Sequence, residues 1–325
     1  MKQNLLVTIS DENYVNQAKQ FFSSVYFNSG WDGDYMLISH EIPEKKLKWF
    51  REKGILVKKI KPITNEKVGR FQISSATMDK FYLFTPEFKK WDVIIYFDAD
   101  FTIQKSLDLL KETKGFVATE MIPEKVKNTI YPFSNNSNSM KLIKELKQKF
   151  NLKKQKFNAG FFAFNTQIII ENLFPQMKKI FKKYKTVFPD NEEQVLNIIF
   201  RNIRKKTSIL YNYLYVHLKD KKYAEKAIAL HFMSYYPWKK EHPFNQTWEE
   251  NLKKAEKINL KKRLPAKETL TKEQIRKYTK GIKRALFIEK TIIPIKDKLE
   301  KVIGKTGKII KNISPKIYKI LGGKQ

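Results

Sequence analysis

The stretch Val93-Ile94-Ile95-Tyr96-Phe97-Asp98-Ala99-Asp100 constrains this chain more than any other, because five apolar β-formers run straight into two aspartates separated by one residue. A run that short, rich in β-branched and aromatic side chains, predicts a fully buried strand. Ligands of open parallel sheets bind just beyond the carboxyl ends of the strands, so this strand delivers its aspartates to the edge where chemistry is done. Two carboxylates so close cannot lie buried and ionised without a counter-charge, and a divalent metal carrying a substrate diphosphate would supply one. The competing reading places Asp-x-Asp in a solvated turn.

At 325 residues the chain is long enough for one large α/β domain with appendages. Its 42% apolar and 14% aromatic content exclude a disordered chain. The absence of cysteine removes disulfides, thiolate zinc sites and cysteine nucleophiles together, and agrees with a reducing cytosol. Against 33 Asp and Glu stand 65 Lys and Arg, a formal charge of +32 that predicts attraction to a polyanion, either nucleic acid or anionic lipid. The segment from Met1 to Ile9 is too short for a signal-peptide core and flows into a strand pattern, so no export is expected. No apolar segment approaches the roughly 20 residues needed to span a bilayer, so membrane association would be peripheral.

Strand and helix patterns alternate along the first part of the chain. Leu5 to Ile9 reads as a buried strand, and Asp11-Glu12 opens a helix with Val15, Ala18, Phe22 and Val25 on one face. Tyr35 to Ile38 and Ile55 to Val57 read as strands flanking a helix over Glu44 to Glu52. Phe116 to Thr119 and Phe161 to Phe164 are further strands, with a polar loop over Ser134 to Ser139. Pro175 suits the first turn of a helix ending near Tyr184, and Asp190 to Phe200 reads as another helix. The pattern predicts a doubly wound sheet with helices on its faces. After about Pro243 strand signals cease, and lysine-rich helical patterns are interrupted by Pro265, Pro294, Gly304, Gly307 and Pro315. No P-loop or dinucleotide fingerprint is present.

Four separated segments carry a resemblance: Leu6-Val7-Thr8-Ile9-Ser10-Asp11-Glu12-Asn13-Tyr14, then Tyr96-Phe97-Asp98-Ala99-Asp100, then Phe157-Asn158-Ala159-Gly160-Phe161-Phe162, and Leu230-His231-Phe232 followed by Pro237-Trp238. In this order they resemble the retaining glycosyltransferases of family 8, whose members include glycogenin and bacterial lipooligosaccharide galactosyltransferases. The resemblance spans roughly residues 5 to 240. It implies a GT-A type nucleotide-diphospho-sugar transferase fold, an α/β architecture with a mostly parallel central sheet flanked by helices. The catalytic domain would cover 1–243, and 244–325 would form a basic, helical C-terminal extension.

Carried over residue by residue, the resemblance makes Asp98, Asp100 and His231 the ligands of Mn2+ or Mg2+, a donor set that suits such an ion. Without the aspartates His231 would read first as a core histidine at a strand end. Thr8, Asp11 and Tyr14 match the uracil and ribose contacts; Asp11 capping the following helix, with Tyr14 on its flank, is the structural alternative. Lys80, in Thr77-Met78-Asp79-Lys80-Phe81, matches the basic residue that meets the donor diphosphate or sugar. Asn158 matches a hydrogen-bonding partner of the transferred sugar, and Ala99, Ala159 and Ser234 complete the implied donor-binding set. Asn158-Ala159-Gly160 also reads as a plain turn before a strand.

Glu192 matches the family's acidic residue, whereas Glu193 replaces its usual glutamine; both are catalytic candidates, and Asp190-x-x-Glu193 also fits a capping box. A second departure is Ser234, where the family has glycine, and a third is Tyr236, where it has a lysine before Pro-Trp. The implied reaction transfers a hexose, glucose or galactose, from a UDP-sugar donor to a hydroxyl of a glycan or glycolipid acceptor, with retention.

In the tail, Ile295, Leu299, Val302 and Ile303 share one helical face, and Ile309, Ile310, Ile313, Ile317, Ile320 and Leu321 form a second apolar group among lysines. Such a segment binds an anionic membrane surface, which would hold a cytoplasmic enzyme at the inner face of the membrane beside a lipid-linked acceptor. Packing of these isoleucines on the catalytic domain is the alternative. The charge also raises a nucleic-acid-binding protein, but no Arg-rich arm, zinc finger or RNA-recognition signature is present, and no nucleic-acid partner is expected. A catalytically inactive binding module is disfavoured by the intact Asp98, Asp100 and His231.

Overall fold

In the computed structural model, which describes residues 3–67, 74–125, 137–150, 152–188 and 192–289, the Val93–Phe97 run is the central strand of a seven-stranded sheet. The strands are β1 (Leu5–Ser10), β2 (Asp34–Ser39), β3 (Leu56–Lys59), β4 (Val93–Phe97), β5 (Phe101–Ile103), β6 (Phe116–Lys125), β7 (Gln155–Asn165), β8 (Arg204–Lys206), β9 (Tyr213–Leu214) and β10 (Ala229–His231). The helices are α1 (Val15–Asn28), α2 (Glu44–Glu52), α3 (Ser137–Lys149), α4 (Leu173–Tyr184), α5 (Glu192–Phe200), α6 (Lys221–Ala224), α7 (Asn245–Lys254) and α8 (Lys272–Phe287). The large sheet has the order β3-β2-β1-β4-β7-β6-β8; β3, β2, β1 and β4 run parallel, as do β6 and β8, while β7 is antiparallel to both its neighbours.

Why β4 carries no polar residue follows from its place. Ile95 and Phe97 enter one apolar core with Phe21, Phe22 and Leu37, whereas Ile94 and Tyr96 enter the other with Val7, Ile38 and Phe162. Alternate residues of a strand face opposite sides, so a strand covered on both sides must be apolar throughout. The cores bury β4 completely and place the chain's next residues, Asp98 to Asp100, at its carboxyl end. From there the chain enters β5, which belongs to a second, three-stranded sheet of order β5-β10-β9.

Several expectations need adjustment. Phe161–Phe164 is only part of β7, and Asn158-Ala159-Gly160 lies inside that strand rather than in a turn before it. Residues 137–139 of the expected polar loop open α3, and 134–136 lie outside the described residues. The tail stripes from Ile295 onward, and Asp190 of the possible capping box, also lie outside them. Packing does not stop at residue 243: Ile258, Leu270, Ile282 and Leu286 join the same core as Phe22. The Tyr26 hydroxyl meets the carbonyls of Asn259 and Lys262, each at 3.0 Å, and the Ser208 and Thr279 hydroxyls are 2.5 Å apart. Lysines on the outer face of this segment mask sparse apolar residues that face inward.

Candidate active site

Asp98 begins the site where β4 ends, its N–H donating to the Gly160 carbonyl at 2.8 Å. Strand β10 pairs with β5 so that His231 lies opposite Phe101, and the two rings stack 4.2 Å apart. This register, set by two short strands far apart in sequence, brings His231 to the aspartates. One ligand atom from each of Asp98, Asp100 and His231 lies within 4.8 Å of the others. His231 Nε2 is 3.4 Å from Asp100 Oδ1, which is buried and has no hydrogen-bond partner. The His231 Nδ1 lies 2.9 Å from Asn212 Oδ1; an amide oxygen only accepts, so Nδ1 donates there, and in the neutral ring Nε2 is left facing the aspartates with its lone pair free for a metal. An unpartnered carboxylate oxygen, a second carboxylate and an oriented imidazole fit a divalent cation. Gly160 keeps the space open, since a Cβ there would stand 2.5 Å from His231 Cε1 and 3.0 Å from Asp98 Oδ2.

Lys80 closes the other side. It lies on the tight helical segment Ser75–Phe84 and is 2% exposed, with Nζ 3.0 Å from Asp98 Oδ1 and 3.1 Å from Glu192 Oε1. Burial works against its charge, but the carboxylates of Asp98 and Glu192 outweigh burial and hold the ammonium above its ordinary range. The Tyr96 hydroxyl donates to Asp98 as well. Burial pushes Glu192 up to about 7 even though Lys80 opposes it, and its Oε2 is buried without a partner. Glu193, beside it at the start of α5, accepts from Asn158 Nδ2 at 3.0 Å and from the Ala159 N–H at 2.9 Å.

The Asp11 carboxylate caps the helical turn after β1, one oxygen accepting from the N–H groups of Asn13 and Tyr14 and the other from the Ser74 hydroxyl at 2.6 Å. Its structural role is therefore present. Thr8 is buried, with a hydroxyl that has no partner. Tyr14 meets Trp238 edge-on at 6.1 Å, and burial, with Asp100 second, holds its hydroxyl protonated. Tyr236, at the position where the family resemblance implies a lysine, stacks on Trp238 at 4.7 Å. Ala99 is buried, and exposed Ser234 adopts a φ of 63°, so the backbone keeps the conformation that glycine adopts freely. The sequence reading missed Asn212, which orients His231, and Lys156, which pairs with Glu193. Nothing in their local sequence marks either one.

The segment bearing Lys80 is tied to β2 by a buried bridge. His40 Nδ1 lies 2.6 Å from Asp79 Oδ2, and the Ser75 hydroxyl lies 3.0 Å from His40 Nε2. Burial acts to lower the His40 pKa, but the Asp79 hydrogen bond and charge, with Glu41 and Asp11 behind them, raise it overall. Asp79 is itself raised, chiefly by burial. Both folded values exceed the unfolded ones, so both groups make the fold less stable as pH rises. The contribution of His40 is fully present below about pH 6.5, the unfolded histidine value, and is lost as pH climbs through the folded value. His40→Gln should flatten the fall of Tm between about pH 6 and 8; an unchanged slope would remove His40 from this account.

Residues 5–242 match the model of Glycosyl transferase family 8. The chain belongs to this family. A search of curated proteins returns no match. Among solved structures, an active-site glutamine-to-glutamate mutant of LgtC superposes with a TM-score of 0.60 at 15% identity, over 76% of this chain and 94% of that one. The galactosyltransferase LgtC in complex with donor and acceptor sugar analogs gives 0.59 at 15% identity, over 84% and 99%. The apo glycosyltransferase GlyE of Streptococcus pneumoniae TIGR4 gives 0.56 at 17% identity, over 82% and 66%. This family 8 glycosyltransferase therefore has the GT-A fold, with a mostly parallel central sheet.

Proposed function

We propose that this family 8 glycosyltransferase transfers a hexose, glucose or galactose, from a UDP-sugar to a hydroxyl of a glycan or glycolipid precursor, with retention at the anomeric carbon. The observation that carries the reading is the convergence of Asp98, Asp100 and His231 beside the buried Lys80 and Glu192. Asp98, Asp100 and His231 would hold Mn2+ or Mg2+, which when bound neutralises charge on a leaving diphosphate. Lys80 adds a fixed positive charge at the same edge, held by two carboxylates so that it needs no reorganisation as charge develops. Asn158, through the second amide hydrogen not given to Glu193, and Glu192 Oε2, which has no hydrogen-bond partner among the described residues, would offer a donor and an acceptor to sugar hydroxyls. Thr8 in β1 and Tyr14 in the helical turn after it would meet the uridine, Tyr14 through its ring and its protonated hydroxyl. We favour a front-face route, in which the leaving phosphate takes the acceptor proton and no protein nucleophile is needed.

Incubation with Mn2+ and a panel of nucleotide sugars, scored for donor hydrolysis, tests this reading. Turnover of UDP-glucose or UDP-galactose is the expected result, and hydrolysis of none of the uridine donors would refute it.

The acceptor side of the proposal places the enzyme in the cytoplasm on the inner face of the membrane, held by the lysine-rich tail. None of the helices among the described residues is long and apolar enough to cross a bilayer. Truncation after Ile288 should leave donor hydrolysis near the full-length rate while abolishing binding to anionic vesicles, and vesicle binding of the full chain should weaken with salt. Undiminished vesicle binding by the truncated protein would contradict the tail's role.

A further inference from the structure

Glutamate stands at 193 where the family resemblance expects glutamine, and the surroundings of its carboxylate say what the extra charge does. Strand residues two apart face the same way, so Lys156 and Asn158 of β7 share a face. Both meet Glu193, whose Oε1 pairs with the Lys156 ammonium and whose Oε2 accepts from Asn158 Nδ2 and the Ala159 N–H. Lys156 is 5% exposed and Glu193 6%. Asn197, one turn further along α5, ties the helix to the same strand: its amide donates to the carbonyls of Phe157 and Glu193, and its oxygen accepts from the Phe157 N–H at 2.9 Å.

The hydrogen bonds continue from Glu193 toward the aspartates. Asn158 Oδ1 accepts from Asn212 Nδ2 at 3.0 Å and from the Gly160 N–H at 3.0 Å, and Asn212 Oδ1 accepts from His231 Nδ1 at 2.9 Å. Each amide is used as donor on one side and acceptor on the other, so the direction of every bond in the chain is fixed by the carboxylate at its end. Flipping either amide would set donor against donor or acceptor against acceptor. We propose that the buried Lys156–Glu193 pair is a positioning anchor that sets the orientation of Asn158, Asn212 and His231, and that Glu193 is not the nucleophile of the reaction.

Among the described residues, Lys156, Asn158 and the Ala159 N–H all donate to the Glu193 carboxylate, and attack on an anomeric carbon would require it to leave them. A glutamine oxygen can accept from Asn158 and Ala159 as the carboxylate does, but its amide would face the Lys156 ammonium donor to donor. Lys156 is therefore a partner that suits a glutamate at 193 and not a glutamine. The inference rests on the glycosyltransferase reading for its activity arm only.

The test is a double-mutant cycle of Lys156→Met, Glu193→Gln and the pair, together with Asn212→Ala, reading Mn2+ affinity, donor hydrolysis and unfolding midpoint. Lys156→Met should lose activity about 100-fold by breaking a buried ion pair from one side, and Glu193→Gln should lose less. The double variant should recover at least tenfold over Lys156→Met. Asn212→Ala should weaken Mn2+ binding by about 10–100-fold in a folded protein, because His231 loses its orienting partner. If Lys156→Met is recovered only unfolded, a folded double variant supports the anchor and an unfolded one overturns it. Loss of hydrolysis by about 1,000-fold in both Glu193→Gln and the double variant, with Mn2+ affinity and midpoint unchanged, would make Glu193 catalytic and overturn the proposal. Should the wild-type chain hydrolyse no uridine donor, the functional reading fails, while additive unfolding midpoints or Asn212-independent Mn2+ binding would still refute the anchor separately.

Discussion

Asp100→Asn is expected to lower transfer by a factor on the order of 1,000 or more while leaving the fold intact. Among the described residues, Asp100 Oδ1 has no hydrogen-bond partner and faces only His231 Nε2, at 3.4 Å, so the substitution removes the negative charge at the proposed cation site at the cost of that single contact. The Asp100 carbonyl, which accepts from the Phe232 N–H at 3.2 Å, is untouched. Steady-state donor hydrolysis and a thermal melt, measured on the same preparation, separate the two effects. Full activity of the folded variant would remove Asp100 from the site.

Lys80→Met is expected to cost both activity and stability. It leaves Asp98 and Glu192 without the buried ammonium that both approach, a loss of about 3–5 kcal/mol when a buried pair is broken from one side. Glu192 can relieve part of that by taking a proton. Burial already raises it to about 7 against the pull of Lys80, and without Lys80 it rises further. A carboxyl whose folded pKa is raised destabilises the fold as pH climbs from the unfolded value of about 4.3 through the folded one. The deficit of Lys80→Met in urea unfolding should therefore be largest near pH 8 and shrink toward about pH 5. A deficit independent of pH would mean that Glu192 is not the group left uncompensated.

Much of this architecture is legible in the sequence because its signals are local. Val93 to Phe97 reads as a buried strand because both its faces meet apolar cores, and Glu44–Glu52 reads as a helix from its charged periodicity and becomes α2. The aspartates after β4 are legible for the same reason, since an abrupt change from apolar to acidic marks the end of a buried strand. Asn158-Ala159-Gly160 misleads because asparagine and glycine usually signal turns. Here Gly160 is required by the approach of His231 and Asp98, and Asn158 by its hydrogen bonds, both set by residues distant in sequence.

Asn212 and Lys156 were illegible for a related reason. Their roles exist only once β10, β7 and α5 are assembled, and one lysine among 65 basic residues carries no mark of its own. Residues 244–325 read as an extension because lysines dominate their composition, yet Ile282 and Leu286, among the described part of that stretch, join the core.

The central claim is that Asp98, Asp100 and His231 hold a divalent cation that receives the donor diphosphate. Its most direct test is the thermal shift produced by uridine diphosphate in Mn2+, in Mg2+ and in chelator. A rise in Tm that appears with either ion and disappears in chelator is the predicted result. An equal rise in chelator would contradict the claim.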